Sequence, residues 1–210
     1  MDALALLLAD SRFPSGSYAH SLGLEQAVAD GLTDVPAFIA ARSRLVAEAD
    51  ARFAVEARRV AETTGAVAGL SAEWYARCPS PVLREASRRL GSQLLRSAGV
   101  VWPVSAPPET PRPVALGVVA AAAGLSDEDV ALLALYDDAS TVASAALKLL
   151  PLDPAVTARW VAELAPRLTL AARAIAADER RIEELPAPAA VAIELAAPVH
   201  QRSRERLFAS

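Results

Sequence analysis

The stretch Gly124-Leu125-Ser126-Asp127-Glu128-Asp129-Val130 decides the fold class, because it carries the signals that end one helix and begin the next. Gly124 suits the residue after a helix, since glycine adopts a left-handed backbone without strain. Ser126 suits an N-cap, and the three carboxylates after it fill a first turn, where negative charge opposes the positive end of the helix dipole. The stretch therefore predicts one helix on each side of a tight junction.

The same punctuation recurs along the chain. Ser80 before Pro81 and Asp153 before Pro154 each pair an N-capping side chain with a first helical residue that has no N–H to lose. Alternating apolar and polar runs bounded by turn pairs are hard to find, so we expect strands to be few or absent. The pattern predicts an all-α fold with helices at about 20–30, 36–63, 81–98, 114–123, 127–149, 155–178 and 188–201.

The proline-rich segment 102–113 is predicted to be an internal loop rather than a domain boundary. Its five prolines in twelve residues remove backbone donors and favour extended chain. The helices on either side are too apolar to stay exposed, so we expect them to share one core. Residues 1–210 are therefore predicted to form a single-domain multi-helix bundle with flexible N- and C-terminal segments.

Composition excludes several classes of function. The formal net charge of −4, from 21 basic and 25 acidic residues, provides no basic surface for nucleic acid. Cys78 is the single cysteine and cannot form an internal disulfide, and Asp2 stands where an export signal would carry basic charge. These features predict a cytoplasmic protein.

The long apolar runs do not read as bilayer spans. The run from Val130 to Leu152 is interrupted by Asp137, Asp138 and Lys148, and the run before it is shorter than the roughly 20 residues that a span needs. We therefore expect no membrane partner.

One segment lies close to a catalytic motif. Ala19-His20-Ser21-Leu22-Gly23 lacks only the first glycine of the G-x-S-x-G nucleophile elbow. A triad would also need a histidine base, and the only other histidine, His200, lies near the opposite terminus. A serine hydrolase using Ser21 is thus an alternative function, against the simpler interpretation that Ser21 caps the helix starting there.

Metal and nucleotide sites are not indicated. Two histidines and one cysteine without i, i+3 or i+4 spacing do not make a closed metal site, so a structural hydrogen bond is the favoured role for His20 and His200. Lys148 is the only lysine and lies in no glycine-rich loop. The acid pairs Asp137-Asp138 and Glu183-Glu184 are interpreted as solvated faces, because adjacent helical residues point about 100° apart. We predict no catalytic residue, no metal ligand and no tightly bound cofactor.

Residues 13–25, Phe13-Pro14-Ser15-Gly16-Ser17-Tyr18-Ala19-His20-Ser21-Leu22-Gly23-Leu24-Glu25, resemble the amino-terminal signature of the urease accessory protein F family, approximately F-P-x-G-x-[FY]-x-H-S-x-G-L-E. Shorter segments are similar to other family motifs: residues 88–95, 113–117, 148–152 and 206–210. The chain departs from the pattern at Asp153-Pro154, where the family usually has Gly-Gln, and at Ser203, where glutamine is common.

The resemblance implies an all-α homodimer that is an adaptor and not an enzyme. Such a protein bridges accessory protein D or H and the GTPase accessory protein G, modulates GTP hydrolysis, and acts as a chaperone for nickel insertion into apo-urease. The nickel is handled by the complex. The resemblance also implies that the carboxyl tail becomes ordered when the D or H partner binds. A generic helical regulator without a link to urease is the remaining alternative.

The resemblance places partner contacts in the amino-terminal signature and the tail. Phe13 and Tyr18 offer rigid aromatic anchors, and Arg206 offers a planar fork of donors. Self-packing against the bundle is the competing interpretation for Phe13, Leu207 and Phe208. The residues predicted to bind a partner are Phe13, Tyr18, His20, Ser21, Glu25, Lys148, His200, Arg206, Leu207, Phe208 and Ser210.

Overall fold

The structure, a computed structural model, describes residues 2–10, 12–63, 66–184, 187–188, 190–203 and 206–209, and no strand occurs among them. The all-α prediction is confirmed. The α-helices are α1 Ala3–Ala9, α2 Leu24–Ala29, α3 Val35–Arg42, α4 Glu48–Thr63, α5 Ala68–Arg77, α6 Pro81–Ala98, α7 Arg112–Ala122, α8 Asp127–Leu149, α9 Pro154–Ala176 and α10 Val191–Arg202. A π-helical turn, Ser43–Ala47, joins α3 to α4, and short 3₁₀ turns lie at Ser17–Ala19 and Ile182–Glu184.

The predicted N-caps define three helix starts. The side chains of Ser80, Ser126 and Asp153 each accept a hydrogen bond from a backbone N–H in the first turn of α6, α8 and α9. Each bond satisfies one of the donors that a helix leaves unpaired at its start. The boundaries of α6 and α8 therefore agree with the predicted ranges 81–98 and 127–149.

Other boundaries differ from the predictions. The start of α2 was placed at residue 20, but Leu22 (φ 54°) and Gly23 (φ 92°) adopt left-handed backbone, which an α-helix cannot include, so α2 begins at Leu24. The helix predicted at 36–63 contains the π-helical turn. Two helices, α1 and α5, were not predicted. Helix α1 is short, with seven residues, and the start of α5 has no capping side chain that would mark it in the sequence.

The core is built around two long contacts, α4 against α7 and α8 against α9, with α6 on the other side of α7. Gly117 of α7 permits the first contact, because a Cβ there would lie 2.2 Å from the backbone oxygen of Ala54 in α4. Helices on both sides of the proline-rich segment thus pack in one core. The large side chains buried most completely include Leu24, Ile39, Leu94, Leu125, Leu135 and Leu168.

Helix α8 lies inside this bundle. Its 23 residues are long and apolar enough to cross a membrane by length and composition alone. Other helices bury 56% of its most apolar window, which is the pattern of a core helix. Among the described residues, α8 is the one helix that passes this test.

Candidate partner-binding site

The two ends of the chain meet at the carboxylate of Glu25, in the first turn of α2. The imidazole Nε2 of His200, in α10, lies 2.6 Å from Glu25 Oε2. The backbone N–H of Leu207 donates to Oε1 at 2.5 Å, and that of Phe208 donates to Oε2 at 3.1 Å. We call this arrangement of Glu25, His200 and the two N–H groups the Glu25 clasp. It joins residues that are 175 to 183 positions apart.

Residues 206–209, which we call the C-terminal strap, lie along the amino-terminal signature. The N–H of Ala209 donates to the carbonyl oxygen of Ala19 at 2.9 Å. The Phe208 side chain is 4% exposed and belongs to the main core, while the Leu207 side chain points outward and is 69% exposed. The strap is therefore fixed by one buried aromatic ring and three backbone hydrogen bonds.

Lys148, near the end of α8, also contacts the strap. Its Nζ donates to the carbonyl oxygen of Tyr18 at 3.2 Å and lies 5.1 Å from the centroid of the Phe208 ring. The ring face attracts the ammonium group through its quadrupole. The only lysine of the chain thus bridges the amino-terminal signature and the strap.

Hydrogen bonding keeps the Glu25 carboxylate charged. Burial raises the pKa of Glu25, but the N–H of Leu207, the His200 ring and the N–H of Phe208 together outweigh it, so the pKa lies below its ordinary value. An ionised carboxylate accepts stronger hydrogen bonds than a neutral one. The clasp therefore persists at neutral pH.

Positive φ angles bring Glu25 into position. Gly23 precedes α2 at φ 92°, and a Cβ on it would lie 3.0 Å from Cγ2 of Ile193 in α10, so glycine allows both the turn and the close approach of α10. The carbonyl oxygen of Leu22 accepts a hydrogen bond from Arg42 Nη1 at 3.2 Å. Arg42, at the end of α3, therefore stabilises this turn.

The second contact of Arg42 corrects one expectation. Arg42 and Asp138 form an ion pair at 2.8 Å, and their side chains are only 9% and 11% exposed. Asp137 pairs with Arg112 at 3.0 Å and is partly buried. The prediction that Asp137-Asp138 forms a solvated face was therefore wrong, because arginines on α3 and at the start of α7 pair with both carboxylates.

A cavity of about 200 Å³ lies beside these ion pairs. Its lining includes His20, Arg42, Asp50 and Trp74. Desolvation, followed by the nearby charge of Arg112, lowers the pKa of His20, so its ring is neutral at neutral pH. As a neutral ring, His20 adds no positive charge to the cavity wall.

The predicted partner-binding residues divide into buried and exposed sets, apart from Glu25, which is partly buried. Phe13 is 8% exposed and packs against Trp102 with ring centroids 6.4 Å apart, and His20, Ser21, His200 and Phe208 are also buried. Tyr18 is 68% exposed. The exposed residues among those predicted are Tyr18, Lys148, Arg206 and Leu207. Ser210 lies outside the described residues.

Among the described residues, Arg206 donates one hydrogen bond, from Nη1 to the carbonyl oxygen of Gln201 at 3.1 Å. The bond joins the strap to α10, and Arg206 is exposed. A planar fork of donors in that position is suited to bind a carboxylate.

The position of Ser21 does not suit a hydrolytic nucleophile. Its side chain is 0% exposed, and its Oγ accepts the N–H of Glu25 at 3.4 Å, so it supports the first turn of α2 although Gly23 occupies the N-cap position. His200, the one distant histidine, is engaged by Glu25. A buried hydroxyl cannot reach an ester in solution. Within the described ranges, no group of three or more His, Cys, Asp or Glu residues could hold a metal ion.

The sequence match to known proteins decides the family. The UreF family model matches residues 30–165. The chain belongs to the UreF family of urease accessory proteins. The UreF match covers α3 to the middle of α9, and the amino-terminal signature and the strap lie outside it.

Full-length relatives extend the UreF similarity to both termini. The urease accessory protein UreF of Mycolicibacterium vanbaalenii is 34% identical over 218 aligned positions, covering 99% of this chain and 98% of the relative. That of Mycobacterium sp. strain JLS is 39% identical over 210 positions, covering 98% and 97%. A third relative, the urease accessory protein UreF of Mycobacterium marinum, is 39% identical over 164 residues, which cover 72% of this chain and 74% of the relative. By name, UreF proteins are accessory proteins and not enzymes, and their partners are among the urease accessory proteins.

Sequence reasoning missed the contacts that assemble the site. Glu25 and His200 were both predicted to bind a partner, but nothing predicted that they bind each other. The Arg42–Asp138 pair and the Asp50–Trp74 hydrogen bond were not predicted either. A carboxylate at the end of a family signature and a histidine near the tail were the available signals, and neither indicates that the two side chains are in contact.

Proposed function

We propose that this chain is a helical adaptor in nickel insertion into urease. In this proposal it acts in the cytoplasm as a homodimer, binds accessory protein D or H through the joined termini, and recruits the GTPase accessory protein G. Nickel is the cargo of the complex, which delivers it to apo-urease while this chain modulates GTP hydrolysis. The chain supplies surfaces and performs no chemistry.

The Glu25 clasp is the observation that supports the proposal most directly. It gathers the amino-terminal signature and the strap, which the family resemblance associates with partner contacts, into one surface. Tyr18 and Leu207 project from this surface with more than two thirds of their side chains exposed. Large apolar side chains of this kind are frequent binding anchors when a partner buries them.

Two cationic side chains lie beside the apolar anchors. Arg206 and Lys148 are exposed beside Leu207 and Tyr18, so the surface combines apolar side chains with two cations. This combination favours an acidic, partly apolar partner surface, because charge complementarity speeds encounter while burial of the anchors supplies affinity.

Co-purification with accessory protein D or H and with accessory protein G tests the adaptor role. We expect the wild-type chain to form a complex, and a truncation that removes residues 206–210 to lose it. Leu207→Asp is expected to weaken binding, whereas Leu170→Asp serves as the matched control because Leu170 is 67% exposed on α9, away from the strap. If the wild-type chain forms no complex under any nucleotide condition, the proposed function is wrong.

Two further measurements address the finer parts. Light scattering of the purified chain measures whether it is a homodimer. GTP hydrolysis by accessory protein G, followed with and without this chain, measures modulation. An unchanged rate in a mixture that contains the complex would remove GTPase control from the proposal.

A further inference from the structure

The cavity beside the Arg42–Asp138 pair is large for the interior of a helical bundle. Its volume is about 200 Å³, whereas close-packed cores leave few voids larger than a water molecule. Large apolar side chains form much of its wall: Phe53, Trp74, Leu83, Leu90 and Leu116. Because an apolar cavity of roughly 150 Å³ accommodates benzene, this one has room for an aromatic ring with a small substituent.

The cavity approaches the protein surface at the π-helical turn between α3 and α4. Leu45, Val46 and Ala47 of this turn line the cavity, and the Leu45 side chain is 40% exposed. Turns of π-helix are rare and occur frequently at functional sites. The turn therefore marks this cavity as a candidate ligand site that borders the solvent.

Asp50, in α4, brings a carboxyl group without an ion pair to the cavity wall. Among the described residues, Trp74 Nε1 donates to its Oδ1 at 2.7 Å, no group donates to its Oδ2, and no arginine pairs with it. Asp137 and Asp138, on the same wall, each pair with an arginine. A desolvated carboxylate is costly unless a cation pairs with it. A positively charged ligand would therefore gain more at Asp50 than a neutral one.

The other titratable groups on the wall leave it negatively charged at neutral pH. They are His20, Arg42, Arg77, Cys78, Arg112, Asp137, Asp138 and Glu194. Carboxylates pair with all three arginines, and desolvation keeps the His20 ring and the Cys78 thiol neutral by lowering the first pKa and raising the second. Asp50 and Glu194 therefore supply negative charge that no cation in the described part of the chain offsets.

The chemistry of the wall selects among charged ligands. Its negative charge disfavours anions. A metal ion needs several ligand side chains close together, and within the described ranges no group of three or more His, Cys, Asp or Glu residues could hold one. The indole ring of Trp74 and the apolar side chains around the cavity suit the body of an organic cation, because aromatic faces attract ammonium groups.

We propose that this cavity is a binding site for a small organic cation, a primary amine that carries one apolar group about the size of a phenyl ring. The ammonium group pairs with Asp50, and the apolar group contacts Trp74, Leu90 and Leu116. Each part of the ligand thereby meets a matching part of the wall. The site goes beyond the proposed function and does not depend on it.

Benzylammonium is the probe, because it combines a phenyl ring with a primary ammonium group. Isothermal titration calorimetry of the full chain at pH 8 measures its affinity beside those of benzyl alcohol, which has nearly the same shape without the charge, and benzoate, which has the opposite charge. We expect benzylammonium to bind about tenfold more tightly than benzyl alcohol, and benzoate to show no binding. Equal affinities for the first two compounds would contradict a charge-selective site.

Asp50→Asn tests whether Asp50 supplies the selectivity. The pKa of Asp50 is about 6, so the carboxyl group is protonated at pH 4.5 and ionised at pH 8, while a primary ammonium stays charged at both. We expect the wild type to bind benzylammonium about tenfold more tightly at pH 8 than at pH 4.5, and Asp50→Asn to bind it equally weakly at both. Asp30→Asn, which removes an exposed carboxylate at the end of α2, should bind as the wild type does.

The indole N–H of Trp74 reports where the probe binds, because this group donates to Asp50. In ¹⁵N-labelled protein we expect benzylammonium to shift the Trp74 indole signal, which is identified by its loss in Trp74→Phe. The signals of Trp102 and Trp160 should stay unchanged, since neither residue lines the cavity. Circular dichroism reports whether each variant is folded. Tight binding that persists in folded Asp50→Asn, or that leaves the Trp74 signal in place, would overturn the proposal, as would the absence of binding to the wild type.

Discussion

The carboxyl group of Asp50, in α4, accepts a hydrogen bond from the indole Nε1 of Trp74, in α5, at 2.7 Å, and both residues line the cavity. Desolvation raises the pKa of Asp50 to about 6, although the Trp74 hydrogen bond and the charge of Arg42 lower it; the charge of Asp138 adds to the rise. The cavity therefore contains an acid that titrates close to neutral pH. Its ionisation changes the stability of the fold.

Asp50→Asn is expected to make the protein more stable at high pH than the wild type. The folded state holds the Asp50 proton more tightly than the unfolded chain, whose pKa is near 3.8. The stabilisation from this group is thus complete below pH 3.8 and is lost as pH rises through about 6. Urea unfolding at pH 4.5 and pH 8 should show the variant gaining about 2 kcal/mol relative to the wild type across that range.

Asp30→Asn is the matched control, because Asp30 is exposed at the end of α2 and, among the described residues, its side chain accepts a hydrogen bond from Gln26. The same pH trend in both variants, or none in Asp50→Asn, would contradict the assignment of the raised pKa to Asp50.

The Arg42–Asp138 pair should behave as a nearly buried ion pair. Arg42→Met leaves the Asp138 carboxylate desolvated without its cation, which is expected to cost about 3–5 kcal/mol in the free energy of unfolding. The double variant Arg42→Met with Asp138→Leu removes both charges and should recover most of that loss. Equilibrium urea unfolding of the wild type, Arg42→Met, Asp138→Leu and the double variant measures the cycle.

Arg159→Met provides the comparison, since Arg159 and Glu163 are both 67% exposed on α9. A pair in solvent contributes little, so this variant should stay within about 0.5 kcal/mol of the wild type. Equal losses for Arg42→Met and Arg159→Met would show that burial of the first pair has no energetic consequence.

Ser21→Ala should disturb stability and not catalysis. The side chain is fully buried and its Oγ accepts the N–H of Glu25, so its removal is expected to cost about 1 kcal/mol in the free energy of unfolding. Hydrolysis of ester substrates by the purified chain should be the same for wild type and variant. A loss of ester hydrolysis specific to Ser21→Ala would restore the hydrolase alternative.

The parts of the fold predicted from sequence are those determined by short-range chemistry. Ser80, Ser126 and Asp153 cap the helices that follow them, and a cap acts over two or three residues, so its signal is readable in one sequence. The helix α5 escaped prediction for the same reason, because Val67 at its start provides no capping side chain.

The candidate site depends on long-range contacts, which one sequence does not reveal. The family resemblance drew attention to Glu25 and Phe208, but their contact spans 183 positions. Asp138 was interpreted as solvated because local spacing says nothing about Arg42, which lies 96 positions earlier. Tertiary packing decides these pairings, and only the assembled helices show them.

Gly117→Ala is expected to destabilise the fold strongly, whereas Gly69→Ala is not. A Cβ at Gly117 would lie 2.2 Å from the backbone oxygen of Ala54 and 2.6 Å from the Ala57 side chain, so α4 and α7 would have to separate. Forced repacking of this kind costs about 1–3 kcal/mol or more. A Cβ at Gly69, in the first turn of α5, meets no described atom within 4 Å.

The two glycines therefore test packing against helix propensity in one measurement. Alanine exceeds glycine in helix propensity by about 1 kcal/mol, so Gly69→Ala should leave the thermal midpoint unchanged or raise it by a few degrees. Gly117→Ala carries the same propensity gain but should lower the midpoint, because the clash between backbones outweighs it. If both variants melted at or above the wild-type temperature, α4 and α7 would not be in the close contact on which this core depends.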